Sequence, residues 1–485
     1  RILQRNRMSI KKNLAYNISL NILNVLFPVI TVPYVSRVLN PEGIGLANFA
    51  ITYVSYFALF AALGISIYGV REIAKLKDRT DKISQIFSEL FKITLISTLL
   101  VSAVFILTLY LVPQLAADRK ILLVSGLTLF FTPVAIDWYF AGLEQFKLIT
   151  LRSVIIKLLC IAGLFLFVRT KQDVIIYVLL NVLAVVAGNT WNILYATRKG
   201  LKIKLTGIRT KPHLKPMLIL FSSVLAVSIF VMLDTLMLGF MCTYEEVGFY
   251  TSAAKIAKLF IPIFSSLGIV LLPRLSYNRQ NNKETENSFL LQKSFDFTIF
   301  LTVPAMFGLF LLASRFVPFF FGPAFDGAIV PLKILSALIL IIGLNNLFGI
   351  QVLLGLNLDS KYLISVIIAA ILNFCGNLIL IPRYGSAGAS VASVGAEIVQ
   401  LVINIYIVLR FTSVRLNWRS VWPNVACSLP FIPIFYLANK YIVNDFTFLF
   451  VMCILCTLTY GTLQYLAIRH SLLRQYIDRY ILKRA

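Results

Sequence analysis

Apolar runs of twenty residues or more recur from one end of this chain to the other, and few folds tolerate that. Each run is long enough to cross about 30 Å of hydrocarbon as a helix. The runs are continuous rather than alternating and far exceed the roughly ten residues of a membrane barrel strand, so a barrel is excluded. A water-soluble fold is excluded too. Of 485 residues, 59% are hydrophobic and only 13% charged, about half the charged share usual in soluble domains. The chain reads as an all-α polytopic membrane protein with about 14 transmembrane helices. They cover residues 13–37, 43–69, 87–112, 120–143, 148–168, 173–197, 215–240, 246–273, 289–314, 326–355, 360–381, 386–410, 420–439 and 446–468.

The connections are short, the longest being 70–86, 198–214 and 274–288, which leaves no room for a soluble catalytic domain. The opening "RILQRNRMSIKKN" runs straight into a full-length span without a cleavable signal pattern, and Met8 is read as the natural start. Most of the six cysteines lie inside apolar runs, where the thiol behaves as a small hydrophobe. His213 and His470 flank spans in basic loops, and no metal-ligand spacing exists.

A net charge of +25 raises the question of nucleic acid. Its distribution answers otherwise. With the N-terminus placed in the cytoplasm, 32 of the 45 Lys and Arg residues fall at inner ends, Arg152 counted among them, and seven at outer ends. That is a strong positive-inside bias, which puts both termini in the cytoplasm and assigns most of the charge to topology and anionic lipid. No nucleic-acid partner is implied.

The two halves resemble each other. "PEGIGLANFA" (41–50) matches "YEEVGFYTSA" (244–253), and Arg71 matches Arg274 at the same offset. "SVII" at 153–156 recurs at 365–368, and that offset also pairs Asn192 with Asn404. Six spans separate the copies, so they are parallel repeats. The expected organisation is two pseudo-symmetric six-helix lobes, 8–200 and 201–412. Two further helices and a basic cytoplasmic tail make up 413–485.

Polar residues inside the spans are the candidate site. Asn13, Asn17, Asn21 and Asn24 share one arc of span one, roughly 80° wide at about 100° per residue. Asn345 and Asn346 lie in span ten, Asn373 and Asn377 share a face of span eleven, and Glu397, Gln400 and Asn404 follow in span twelve. Carboxamides both donate and accept, which suits sugar hydroxyls as well as a neighbouring helix. Intramembrane charges are costlier and functional by default. Lys157, Lys255, Lys258 and Lys333 supply cations, and Asp137, Asp234 and Glu397 supply carboxylates for ion coupling or structural pairing. Arg37 and Arg315, near outer span ends, read as snorkelling side chains. A surplus of cations facing a cavity suits a diphosphate.

"SRVLNPEGIGLANFA", "DWYFAGLEQF", "VGFYTSAAKIAKLF" and "NLILIPRYGSAGASVAS" resemble the polysaccharide-transporter family, the Wzx-type O-antigen and capsule flippases. These belong to the multidrug/oligosaccharidyl-lipid/polysaccharide exporter superfamily. The resemblance runs from about residue 8 to 470. It implies an internal cavity with alternating access, and no enzyme activity. The implied substrate is an undecaprenyl-diphosphate-linked oligosaccharide moved from the inner to the outer leaflet of the bacterial cytoplasmic membrane. Membrane lipids and other polysaccharide-assembly proteins are the implied partners. No cofactor is implied, and a coupling ion, sodium or proton, stays open. The resemblance carries a role most directly to Arg37, Asp137, Asp234 and Lys255, which stand in motif positions. Lipid II flippases typically cluster arginines early in their first lobe, where this chain has asparagines. Drug/cation antiporters typically have twelve spans and carboxylate-dominated cavities. A polysaccharide polymerase or glycosyltransferase needs large outer loops or a soluble domain, and neither is present.

Overall fold

The computed structural model describes residues 10–76, 80–261, 284–412 and 414–467, with Leu271, Leu275, Tyr277 and Arg474; side chains are described from Phe27 onward, with single exceptions. Among the described residues there are helices and turns and no strand. Ten helices among the described residues are long and apolar enough to cross a membrane, or eleven when the bent pair Lys211–Ser222 and Val227–Met241 counts as one span. The sequence reading gave about 14, and two chain reversals account for part of the difference. Helix α1 (Ile10–Ala62) breaks at Asn40, whose φ of 59° is left-handed, just before Pro41. Asparagine tolerates that conformation, and proline offers no N–H to continue the ladder. Before the break, Phe27 lies by Lys157 and Tyr34 by Phe165; after it, Tyr53 bonds Thr108 and the Phe60 carbonyl bonds Ser97. The chain therefore ascends one neighbour and descends another.

The second reversal is at Gly385 (φ 52°). A Cβ added at Gly376 would sit 3.2 Å from that of Ala392, sixteen residues away, whereas a straight helix would separate them by about 24 Å.

By packing, the chain divides into two compact units, 1–248 and 249–485. Helix α8 (Lys211–Met241) packs on α1 and on α2 (Ile65–Lys75), which is why it falls in the first unit. The repeat boundary after residue 200 is a different division, by sequence likeness, and we carry it as a proposal.

In the first unit, α3 (Thr80–Leu111), α4 (Arg119–Phe130), α5 (Asp137–Gly142), α6 (Phe146–Phe167) and α7 (Val174–Arg198) complete the bundle. Its core is aromatic. Phe87 stacks on Trp138 at 5.4 Å and meets Tyr139 edge-on, and all three are buried. Gly69 leaves the space that Trp138 fills. Much of the connection read at 70–86 is helical, because α2 is amphipathic and α3 begins at Thr80.

Helix α9 (Tyr244–Ala257) tightens into a single 3₁₀ turn at Lys258–Phe260. The second unit then holds α10 (Glu284–Phe321), α11 (Ile329–Leu335), α12 (Ala337–Asn345), α13 (Asp359–Phe411), α14 (Val421–Ser428), α15 (Phe431–Tyr441) and α16 (Asp445–Ala467). Between α12 and α13 the chain is a π-helix over Asn346–Leu354. Long π-segments are rare and favour functional sites. Helix α16 is fixed to α10 by Tyr460, whose hydroxyl donates to the Phe300 carbonyl at 2.9 Å.

Candidate functional site

The motif "DWYFAG" divides its labour by residue. Trp138, Tyr139 and Phe140 are buried and root α5 in the core, leaving Asp137 at its first position with a half-exposed side chain. Arg152 of α6 donates from Nη1 to Asp137 Oδ1 at 3.0 Å and to the Gly188 carbonyl at 3.0 Å. Asn192 of α7 donates to the same carboxylate oxygen. Three helices thus converge on one carboxylate. Arg152 is buried, at 9%, and a guanidinium so placed requires a counter-ion. This corrects the count of Arg152 as a loop charge: it is an internal partner of Asp137.

Lys157 lies five residues further along α6, half-buried, with Nζ 5.3 Å from the Phe27 ring centre. That distance is within cation–π range. Arg37 is exposed on α1, close to the reversal at Asn40. Asp234 is buried in α8, close enough to act on the Tyr56 hydroxyl, which itself donates to the Ile229 carbonyl. The side chains of Asn13, Asn17, Asn21 and Asn24 lie outside the described residues.

In the second unit, Lys255 is exposed on α9, and Lys258 is half-buried where the helix tightens. Lys333 of α11 is half-buried, with Nζ 5.9 Å from the Phe310 ring centre. Asn345 is buried and donates to both the carbonyl and the carboxylate of Glu397, at 3.0 and 2.7 Å. Its own oxygen accepts from Asn404, whose oxygen accepts from Ser365 at 2.7 Å. Beyond Asn345 the π-helix places Asn346 and Gln351 on one face, five residues apart, and Gln351 donates to Asn346 while accepting from Ser294 of α10. Asn373 and Asn377 are fully buried and bonded to each other at 3.2 Å. In this conformation Asn345, Asn373 and Asn377 offer almost no surface to a ligand: Asn345 is engaged with Glu397, and Asn377 donates to Asn373 along the same helix.

Asn192 and Asn404 are both completely buried, and each donates within a network that contains a carboxylate. Residues 10–279 match the family described as "Polysaccharide biosynthesis protein". The chain belongs to that family. It is 27% identical over 404 residues to a "Putative O-antigen transporter" of Escherichia coli (strain K12), covering 81% of this chain and 95% of the relative. A "Probable low-salt glycan biosynthesis flippase Agl15" of Haloferax volcanii is 23% identical, covering 48% of this chain and 49% of its own.

Among solved structures, "Lipid II flippase MurJ, inward closed conformation" superposes with a TM-score of 0.76 at 17% identity, over 94% of this chain and 99% of that one. An inward-facing multidrug resistance MATE family transporter superposes at 0.58 and 14%, over 84% and 96%. The fold is therefore the helical one shared with these two transporters, and this is a multi-pass membrane protein.

Sequence reasoning missed three features. Arg152 sits only six residues after Phe146, so hydropathy left it at a span edge. His213 read as a loop residue but is buried against Tyr68 and Glu89. Arg315 read as snorkelling, yet it donates to Asp445 at 2.9 Å and to Asn439 at 3.1 Å, tying α10 to α15 and α16.

Proposed function

We propose that this protein is a flippase for polyprenyl-diphosphate-linked oligosaccharide repeat units, carrying them from the inner to the outer leaflet for surface polysaccharide assembly. The single observation that carries the reading is likeness over nearly the full length of a protein named as an O-antigen transporter. A transporter of this kind makes and breaks no covalent bond. It acts by alternating access between two six-helix repeats, 8–200 and 201–412, with both termini in the cytoplasm.

The charge chemistry supports the substrate class. Lys255, Lys258, Lys157, Lys333 and Arg37 are accessible in whole or part. Ammonium and guanidinium groups replace the hydration of a diphosphate. Asn17, Asn21 and Asn24 would meet the sugars, while the buried Asn345, Asn373 and Asn377 would shape the interior of the second unit. Asp234 and Glu397 would couple an ion or balance the lysines, and Asp137 fixes Arg152. A second reading, lipid II as substrate, is favoured by the 0.76 superposition and tests the same way.

The test is complementation. Expression in a strain lacking its O-antigen flippase should restore surface glycan, and expression in a strain depleted of its lipid II flippase should not restore growth. Lys255→Ala with Lys258→Ala should cut export at least tenfold at unchanged protein level. Wild-type export by that double variant removes these lysines from the mechanism, and rescue of only the second strain replaces the substrate.

A further inference from the structure

His213 is one of two histidines in the chain. It lies in the first turn of α8, buried, with Nδ1 2.8 Å from the Tyr68 hydroxyl and Nε2 2.8 Å from Glu89 Oε2. Tyr68 and Glu89 are buried as well, at 4% and 3%. The other oxygen of Glu89 accepts from Gln85 at 3.0 Å. One array thus joins α2, α3 and α8. The connection before α8 is stitched to α3 by Ser84 and Ser88, which accept from the N–H groups of Lys202 and Lys204. One turn along, Gly64 lets the α8 backbone approach so closely that an added Cβ would lie 2.9 Å from Phe221 N.

The array differs from ordinary helix glue because its central member is an imidazole, a group able to carry a proton. Histidine has an ordinary pKa of about 6.5. Neutral, the imidazole accepts from Tyr68 at Nδ1 and donates to Glu89 at Nε2. Protonated, it donates on both sides, and the Tyr68 hydroxyl turns from donor to acceptor. Both states keep both hydrogen bonds, so a proton can come and go without unfolding the site. Only the protonated state adds ionic attraction to Glu89, at a depth where screening is weak. The surrounding charges are Arg71 and Glu72 on α2, Glu89 on α3, and the exposed Lys211 and Lys215 on α8; Glu72 is itself engaged with Lys75 at 2.7 Å.

We propose that Tyr68, His213 and Glu89 form a proton-binding site that clamps α8 onto α2 and α3, tight with the proton bound and loosened when it leaves. The positive-inside bias puts this end of the first unit in the cytoplasm, so cytoplasmic pH would set how freely α8 moves. That last role rests on the flippase reading; the proton site does not.

The experiment uses the full chain in nanodiscs with His470→Asn, which leaves His213 as the only histidine. Carbon-13 labelling of the imidazole should show a single titration with a midpoint above the ordinary histidine value of about 6.5, and a midpoint at or below it overturns the clamp. The melting temperature should fall as pH rises through that midpoint. His213→Gln keeps a donor toward Glu89 and cannot titrate, so its melting curve should lose the pH step. Glu89→Gln should lower the His213 midpoint, a change that a purely structural contact would not produce. An imidazole signal constant from about pH 5 to 9 overturns the proposal, as does an unchanged pH step in His213→Gln or an unmoved midpoint in Glu89→Gln. In transport assays His213→Gln should lose the pH dependence of wild type; an identical profile overturns the regulatory role. Failure of complementation would leave the titration standing and so count against the flippase reading alone.

Discussion

Asp137 and Arg152 are unequal partners, and their inequality decides what each deletion does. Arg152 is 9% exposed while the Asp137 side chain is 53% exposed. Removing the arginine leaves a carboxylate that water can reach. Removing the aspartate strands a guanidinium inside the bundle, the case that costs about 3–5 kcal/mol when a buried pair is broken. Asp137→Ala should therefore destabilise more than Arg152→Ala, which should cost about 1–2 kcal/mol through lost packing and hydrogen bonds. The double variant should recover part of the Asp137→Ala loss. Thermal unfolding in detergent, followed by loss of monodisperse protein, orders the three variants. An Arg152→Ala protein less stable than Asp137→Ala would show that the packing of the arginine stem, not its charge, holds the three helices. Residue identity alone marked Asp137 as an intramembrane charge but gave no hint of its partner. The pairing spans fifteen residues and two helices, a distance that local patterning does not reach.

At the scale of elements, the clearest constraint is the crossing of α1 with the start of α9. A Cβ at Gly45 would collide with the Tyr244 carbonyl, and one at Gly248 with the Pro41 carbonyl. These two glycines are the pair matched by the internal repeat, so equivalent positions of the two copies meet backbone to backbone. Gly45→Ala and Gly248→Ala should each sharply lower the yield of folded protein, because the colliding atoms are main chain and cannot rotate away. Gly395→Ala, with nothing within 4 Å, should be neutral or slightly stabilising, as expected for an open helical position. Yield and melting temperature of the three variants decide the matter; normal folding of Gly45→Ala would mean the crossing can spread. Element type was legible from the apolar runs, and both reversals fall in quoted motifs, "VLNPEG" and "IPRYGSAGA". The π-helix at Asn346–Leu354 was not, because its five-residue register leaves the same apolar composition as an α-helix. Nor was the burial of Asn345, Asn373 and Asn377, since a carboxamide facing a cavity and one bonded inside the bundle look alike in sequence.

For the whole molecule, the question is what drives the cycle. A diphosphate headgroup carries about two negative charges, and an inside-negative potential favours moving each outward by about 2.3 kcal/mol per 100 mV. On the flippase reading we propose, a coupling ion would either assist the loaded step or reset the empty carrier. Asp234 and Glu397 are the carboxylates we propose for that role, with structural pairing as the alternative. Asp234 is buried, and Glu397 is held by two hydrogen bonds from one asparagine amide, so a proton or cation arriving there would disturb a defined network. In proteoliposomes, Asp234→Asn and Glu397→Gln should abolish the component of flipping driven by an ion gradient and leave the potential-driven component within about twofold of wild type, under 1 kcal/mol. The amide replacements keep size and hydrogen-bonding capacity, so a general loss of packing should lower both components together. Full gradient response in both variants would make the two carboxylates counter-charges for the lysines, with no part in energising the return step.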